Sequence, residues 1–327
     1  MIQPVRASCS VSNVGGRLTC SRSPEAVGGK EGSQSLLTSG SGNKTVVCQV
    51  QFVTCSGIHT VVNLSVKNMS IVVSSLTIAT QLALSHVIRG RLSGLLEGEL
   101  LKGCLLELVA SAEMCGACYE LMIIADNYGV MAYAVYLFLL TIWWGQSWGT
   151  ATACPYSLLE EYVETGANPV FVVLKIISQV IGGLASFRWV KYIWMMELAQ
   201  THVGRGTDDC TADLQVPVIL GFLIECLLTC CCRIFSRTLG TLEPKFASAI
   251  DSFFATSMVV LAFNTSGGYF NPVLATGLKW SCRGHTNAEH IIVYWAGSVL
   301  GSMLSIKLWS LTSIRNLILS PLKQKEE

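Results

Sequence analysis

The chain has 327 residues, of which 51% are hydrophobic and only 13% charged, with a mean hydropathy of +0.51. That is too apolar for an ordinary soluble domain of this length, so the chain belongs in a membrane. Its 22 basic and 21 acidic residues leave a net charge of +1, which is no electrostatic footprint for nucleic acid and excludes that class of partner.

Residues 1–57 are rich in Ser and Gly with few strong apolar runs, and read as a disordered tail. No basic start followed by an apolar run marks a cleavable signal peptide, so insertion falls to the helices themselves. Residues 58–99 form an extra apolar segment and linker. Within it Ile71 to Val87 is only 17 residues long and carries Thr77, Thr80 and Gln81; it can span, lie at the interface or cap a bundle. A spanning helix needs about 20 mostly apolar residues. Six stretches approach this, at 103–124, 128–144, 170–187, 216–232, 246–263 and 291–309, which predicts an all-α six-span bundle over 100–313. Residues 314–327 are a charged C-terminal tail.

The bundle is duplicated. A Glu inside an apolar helix occurs at Glu107 and again at Glu225. An X-Pro that follows a glycine turn comes 47 positions after the first, at Cys154-Pro155-Tyr156, and 46 after the second, at Asn271-Pro272-Val273. A glycine in the next apolar helix follows, Gly182 at 28 positions from Cys154 and Gly301 at 30 from Asn271. Three landmarks in one order define two repeats, 100–198 and 214–313, the signature of a fold with broken helices at its midplane. Asn168-Pro169-Val170 imitates the second box but stands 61 positions after Glu107 and leads directly into an apolar run. It reads as the start of the third span, with Asn as cap and Pro at the first helical position.

The Pro boxes predict short helices that begin inside the bilayer. Such a start leaves backbone N–H groups without partners, which is tolerated only beside a polar cavity. Pro155 and Pro272 suit the first helical position because they have no N–H and a helical φ. Asn271 can cap its helix through the carbonyl oxygen and offer its NH₂ to a lumen. Glu107 and Glu225 are expensive in lipid unless bonded, and their matched places predict a matched task, bracing each half-helix by accepting from its pore-loop backbone. Lys175, Asp251, Glu113 and Glu120 read as facing the interface. Gly182 and Gly301 read as close helix-packing positions.

Most of the fourteen cysteines lie in apolar segments, where a thiol is a small packing residue. Cys115 and Cys118 have redox spacing without the strand-helix context that gives it meaning, and Cys230 to Cys232 beside Arg233 is a weak palmitoylation pattern. No metal site, cofactor site or catalytic constellation is legible, which argues against an enzyme.

The repeated order of Glu-helix, span, Pro-box half-helix and span resembles the aquaporins. With the FNP setting of Phe270-Asn271-Pro272, the divergent Cys-Pro-Tyr first box, the Cys-rich first core helix and the run Ile292 to Trp295, it is similar to the unorthodox superaquaporins, the aquaporin 11 and 12 type. The resemblance implies two inverted repeats with re-entrant half-helices and a homotetramer in the lipid bilayer. It also implies passage of water or small neutral solutes such as glycerol or hydrogen peroxide. Three positions depart from the family pattern: Cys154 for the first Asn, Val273 for Ala, and Leu274 where most members place a filter Arg. The rivals are a structural or regulatory protein that kept the fold and closed its pore, and a coupled transporter, for which no midplane acidic cluster beyond Glu107 and Glu225 is present.

Arg89, Arg91 and Lys102, then Arg233, Arg237 and Lys245, then Arg315, Lys323 and Lys325 mark one face as cytosolic. Lys323 and Lys325, fifth and third from the C-terminus, resemble a dilysine retrieval signal for the endoplasmic reticulum. Sequons occur at Asn43, Asn63, Asn68 and Asn264.

Overall fold

The computed structural model describes the backbone at residues 9–14, 17–22 and 51–323, and side chains at 69–320. The chain divides into two units, 1–53 and 54–327. In the first, β1 (Cys9–Val14) and β2 (Arg17–Arg22) pair antiparallel, Cys9 opposite Arg22 and Val14 opposite Arg17. Of the residues 1–57 read as a tail, those at 9–14 and 17–22 form this hairpin and those from Gln51 onward open α1, and the second unit is the expected all-helical bundle.

The helices of the second unit are α1 (Gln51–Leu95), α2 (Glu99–Tyr128), α3 (Val130–Ser147), α4 (Pro155–Thr165), α5 (Pro169–Met195), α6 (Val218–Leu242), α7 (Ala247–Ala262) and α8 (Pro272–Lys279). They are followed by α9 (Asn287–His290), a π-helical turn at Ile291–Ala296, α10 (Gly297–Ser310) and α11 (Thr312–Lys323). Among the described residues six helical runs are long and apolar enough to cross a membrane: Met69–Leu95, Glu99–Tyr128, Val130–Ser147, Pro169–Met195, Val218–Leu242 and Asn287–Ser310. The sequence pattern at 71–87 therefore belongs to a full-length apolar helix in addition to the core six, of which α7 is the short member at 16 residues.

α2 is the central element, with Ala110, Cys115, Ala117, Leu121 and Ile124 fully buried. It packs on α5, and α6 packs on α10, through the same device in both repeats. A Cβ added at Gly182 would stand 2.2 Å from the Leu108 carbonyl oxygen, and one at Gly301 would stand 2.1 Å from that of Cys226. Leu108 and Cys226 each follow the repeat's buried Glu by one residue, so both close approaches put the helix backbones in contact beside that carboxylate. A single two-fold-related design accounts for both.

α1 is held to the core by polar contacts. The Ser75 and Tyr136 hydroxyls lie 2.6 Å apart, and Arg89 makes a buried ion pair with Glu113. Glu113 also accepts from Trp143 Nε1 at 3.2 Å. Glu120, fully buried, accepts from Trp194 Nε1 at 2.8 Å and lies 3.2 Å from His202 Nε2. Glu113 and Glu120 therefore do not face the interface as their sequence context predicted. Each is kept inside by a partner far away in sequence, as a buried carboxylate requires.

Candidate functional site: two half-helices meeting inside the bundle

α4 and α8, of 11 and 8 residues, both begin at the expected prolines. The backbone leading into them is duplicated almost to the degree. Ala153 and Phe270 have φ of 49° and 47°, while Cys154 and Asn271 have φ/ψ of −143°/121° and −143°/114°. A non-glycine residue at positive φ is uncommon and persists where its surroundings hold it. Here the buried carboxylates do so. Glu107 accepts from Thr152 N at 3.0 and 3.1 Å, from Ala153 N at 2.9 Å and from Gln179 Nε2 at 2.8 Å. Glu225 accepts from Ser266 Oγ at 2.6 Å, from Tyr269 N at 3.2 Å and from Phe270 N at 2.7 Å. In each repeat the residue at positive φ gives its N–H to the Glu, so the carboxylate fixes the turn by which the chain passes into the half-helix.

The starts of the two half-helices touch. Asn271 Oδ1 accepts from Val273 N at 3.0 Å and Leu274 N at 3.3 Å, while its Nδ2 donates to the Ala153 carbonyl at 2.9 Å and lies 3.5 Å from Met114 Sδ. The Asn271 amide thus reaches the loop before the first half-helix and the side chain of Met114 on α2. Cys154 is buried, makes no side-chain cap, and lets its half-helix begin uncapped. Val273 is fully buried against the Gly183 backbone. By contrast Asn168 caps α5 by accepting from Val170 N at 2.9 Å, and Pro169 opens that full-length helix.

Outside the meeting point the two half-helices are secured differently. α4 carries Glu160, which accepts from Arg233 Nε at 2.9 Å, Arg237 Nη2 at 3.0 Å and Ser302 Oγ, and Glu164 pairs with Arg237 at 2.5 Å. The Arg233 guanidinium also lies 5.9 Å from the centre of the Tyr156 ring. Glu160 and Glu164 of α4 are therefore both paired with arginines of α6. α8 ends at Lys279, whose Nζ donates to Thr211 O at 2.9 Å and pairs with Asp213 at 2.8 Å. Next to it Cys210 and Cys282 form a disulfide joining the loop before α6 to the loop after α8. The sequence pattern did not reveal this bond, and spacing could not have done so: the two cysteines are 72 positions apart. Their location outside the apolar segments was the one available signal.

A cavity of about 460 Å³ opens beside α8. Leu274, Leu278, Phe263 and Met122 give it apolar walls, and Tyr133 and Tyr269 give it aromatic ones. Its carboxylates are both paired, Asp126 with Arg205 at 2.5 Å and Asp213 with Lys279 and with the Tyr269 hydroxyl, which donates at 2.5 Å. His285, near this mouth, has its pKa lowered by burial, with the Glu289 and Asp213 carboxylates opposing. Lys323 is described as backbone at the end of α11, and its side chain and Lys325 lie outside the described residues.

No family model matches the chain. Aquaporin-11 of Milnesium tardigradum is 29% identical over 203 residues, which cover 62% of this chain and 73% of that protein. Putative aquaporin-12A of Homo sapiens is 26% identical over 186 residues, covering 56% of this chain and 63% of that protein, so this chain spans less than two thirds of that relative's length. Aquaporin-11 of Homo sapiens is 23% identical over 212 residues, 63% of this chain and 76% of that protein. The X-ray structure of the aquaglyceroporin from Plasmodium falciparum superposes with a TM-score of 0.48 at 11% identity, covering 68% of this chain and 98% of that one. Its apolar spans make the chain a multi-pass membrane protein, and its sequence is similar to those of aquaporins 11 and 12.

Proposed function

We propose that the chain is a passive channel for water and small neutral solutes, glycerol and hydrogen peroxide among them. The pore follows the half-helices that begin at Cys154-Pro155-Tyr156 and Asn271-Pro272-Val273. The observation that carries this reading is the contact between the two half-helix starts, Asn271 Nδ2 on the Ala153 carbonyl at 2.9 Å. It brings two helix N-termini together inside the bundle, each with about half a positive charge, and repels cations and protons there. Leu274 stands at the filter position and lines the cavity beside α8. With an apolar side chain in place of a fixed cation, the constriction favours solutes with carbon as well as hydroxyl groups, and leaves charge exclusion to the helix ends. Glu107 and Glu225 brace the half-helices, and Gly182 and Gly301 set the helix spacing around them.

The same hydrogen bond supports the alternative of a non-conducting structural or regulatory protein, because it occupies the Asn271 amide that would otherwise meet a permeant. Stopped-flow swelling of proteoliposomes with water, glycerol and peroxide separates the two. The channel reading expects native protein to exceed lipid leakage for at least one solute and Asn271→Asp to change that rate. Leakage-level rates for every solute in both proteins defeat it.

The disulfide supports an orientation with the loops before α6 and after α8 on the oxidising side, opposite the basic ends at Arg233 and Arg237. Residence in the endoplasmic reticulum through Lys323 and Lys325 and assembly as a homotetramer belong to the same proposal. Replacing both lysines is expected to shift the protein toward the cell surface.

A further inference from the structure

A second cavity, of about 350 Å³, lies where the C-terminal end of α1 and the start of α2 meet the loop that leads into the first half-helix. On α1 it is lined by His86, Arg89 and Ser93, and Lys102 of α2 closes another side. These α1 positions recur at helical spacing and share a face. Across from them stand Ser147 at the end of α3 and Trp148 and Thr150 of the loop that follows it. No carboxylate lines this space.

Its cations are partly engaged. Arg89 is 4% exposed and pairs with Glu113 behind the cavity wall, with its Nη2 3.5 Å from Ser147 Oγ, but its Nε is buried without a hydrogen-bond partner. An unbonded guanidinium N–H in a buried site is a donor without its acceptor. Lys102 Nζ donates to the Ser93 carbonyl at 3.0 Å and keeps two further protons. With Arg89 offset by Glu113, Lys102 leaves the site net positive and rich in donors. Its volume is many times the roughly 30 Å³ share of a water, so it has room for a polyatomic anion.

The cavity lies at the end of the candidate spans where basic residues gather, and such pockets between membrane helices suit anionic headgroups. We propose that this cavity is a binding site for a phosphate group, carried by a membrane lipid headgroup or free in solution. Occupancy would tie α1 to residues 147–150, the segment immediately before the Thr152 and Ala153 amides that Glu107 holds.

The test titrates the purified full chain in detergent with three probes and reads the thermal unfolding midpoint. The probes are a short-chain phosphatidylinositol bisphosphate, the diacylglycerol with the same tails, and inorganic phosphate. A saturable rise with the phosphoinositide and none with diacylglycerol is expected. Lys102→Gln should weaken that apparent affinity about tenfold or more, the loss that follows from one charge-assisted hydrogen bond. Thr150→Val should weaken it to a smaller degree, and Arg91→Gln, outside the cavity, should leave it unchanged. A matching rise with inorganic phosphate supports the site and assigns the free anion as its occupant. Phosphoinositide no better than diacylglycerol, with no response to phosphate, overturns the proposal. Equal affinities in the native, Lys102→Gln and Thr150→Val proteins also overturn it.

Discussion

The two half-helices begin with nearly the same backbone and end in different hands. At the start of each a buried Glu takes the N–H of a residue at positive φ, and a Pro opens the helix. Only the second has a side-chain cap: Asn271 accepts from Val273 N and Leu274 N, and the Cys154 thiol makes no such bond. Beyond the first turn, α4 is tied to α6 and α10 by the Glu160 cluster, and α8 is tied to a loop by Lys279 and the nearby disulfide. The backbone of the turn is thus kept alike in the two repeats by one carboxylate, whereas the means of holding each helix diverged. A duplicated fold can exchange its fastenings as long as the buried N–H groups at the half-helix starts still find an acceptor.

The largest test of that comparison removes the braces. Glu107→Ala orphans Thr152 N and Ala153 N, and Glu225→Ala orphans Tyr269 N and Phe270 N. At about 1–3 kcal/mol for each buried unsatisfied group, both variants should lose several kcal/mol, read as unfolding midpoint in detergent or as failure to assemble. A large loss in one and none in the other would break the matched-brace account.

Next in size are Gly182→Ala and Gly301→Ala. Each puts a methyl about 2 Å from a backbone oxygen that cannot move without its helix, and overpacking of this kind costs about 1–3 kcal/mol. The two losses should agree with each other, and Gly90→Ala, with nothing within 4 Å, is the neutral control.

The smallest effect sharpens the asymmetry itself. Asn271→Ala should cost about 1 kcal/mol as a lost cap, while Cys154→Ala, which removes no cap bond, should cost less. Cys154→Asn is expected to restore the missing cap and raise the midpoint. A fall would mean that the first half-helix has no room at its start for the side chain its counterpart uses.

Much of this was legible because it is local. Apolar runs of spanning length, Pro at a helix start and a Glu within an apolar run are properties of neighbours in sequence, and their recurrence at 47 and 46 positions locates both half-helices and dismisses Asn168 as the start of α5. Sequence reasoning failed where the partner was remote. Glu113 and Glu120 looked like interface residues because Arg89 and Trp194, which keep them inside, lie on other helices. The Asn271 contact with the Ala153 carbonyl was out of reach of the sequence because the two lie 118 positions apart.

By itself, then, the sequence determined the membrane setting, the duplication and the places where the chain must break its helices, since hydropathy, propensity and backbone hydrogen bonding act over a few residues at a time. Only the tertiary structure decided which buried donors and acceptors meet. It brought the Asn271 amide onto the Ala153 carbonyl, joined Cys210 to Cys282 and drew Arg89 onto Glu113. Those pairings depend on how separate helices come to lie side by side, and the low-dielectric interior enforces them because a polar group left alone there is too costly to keep.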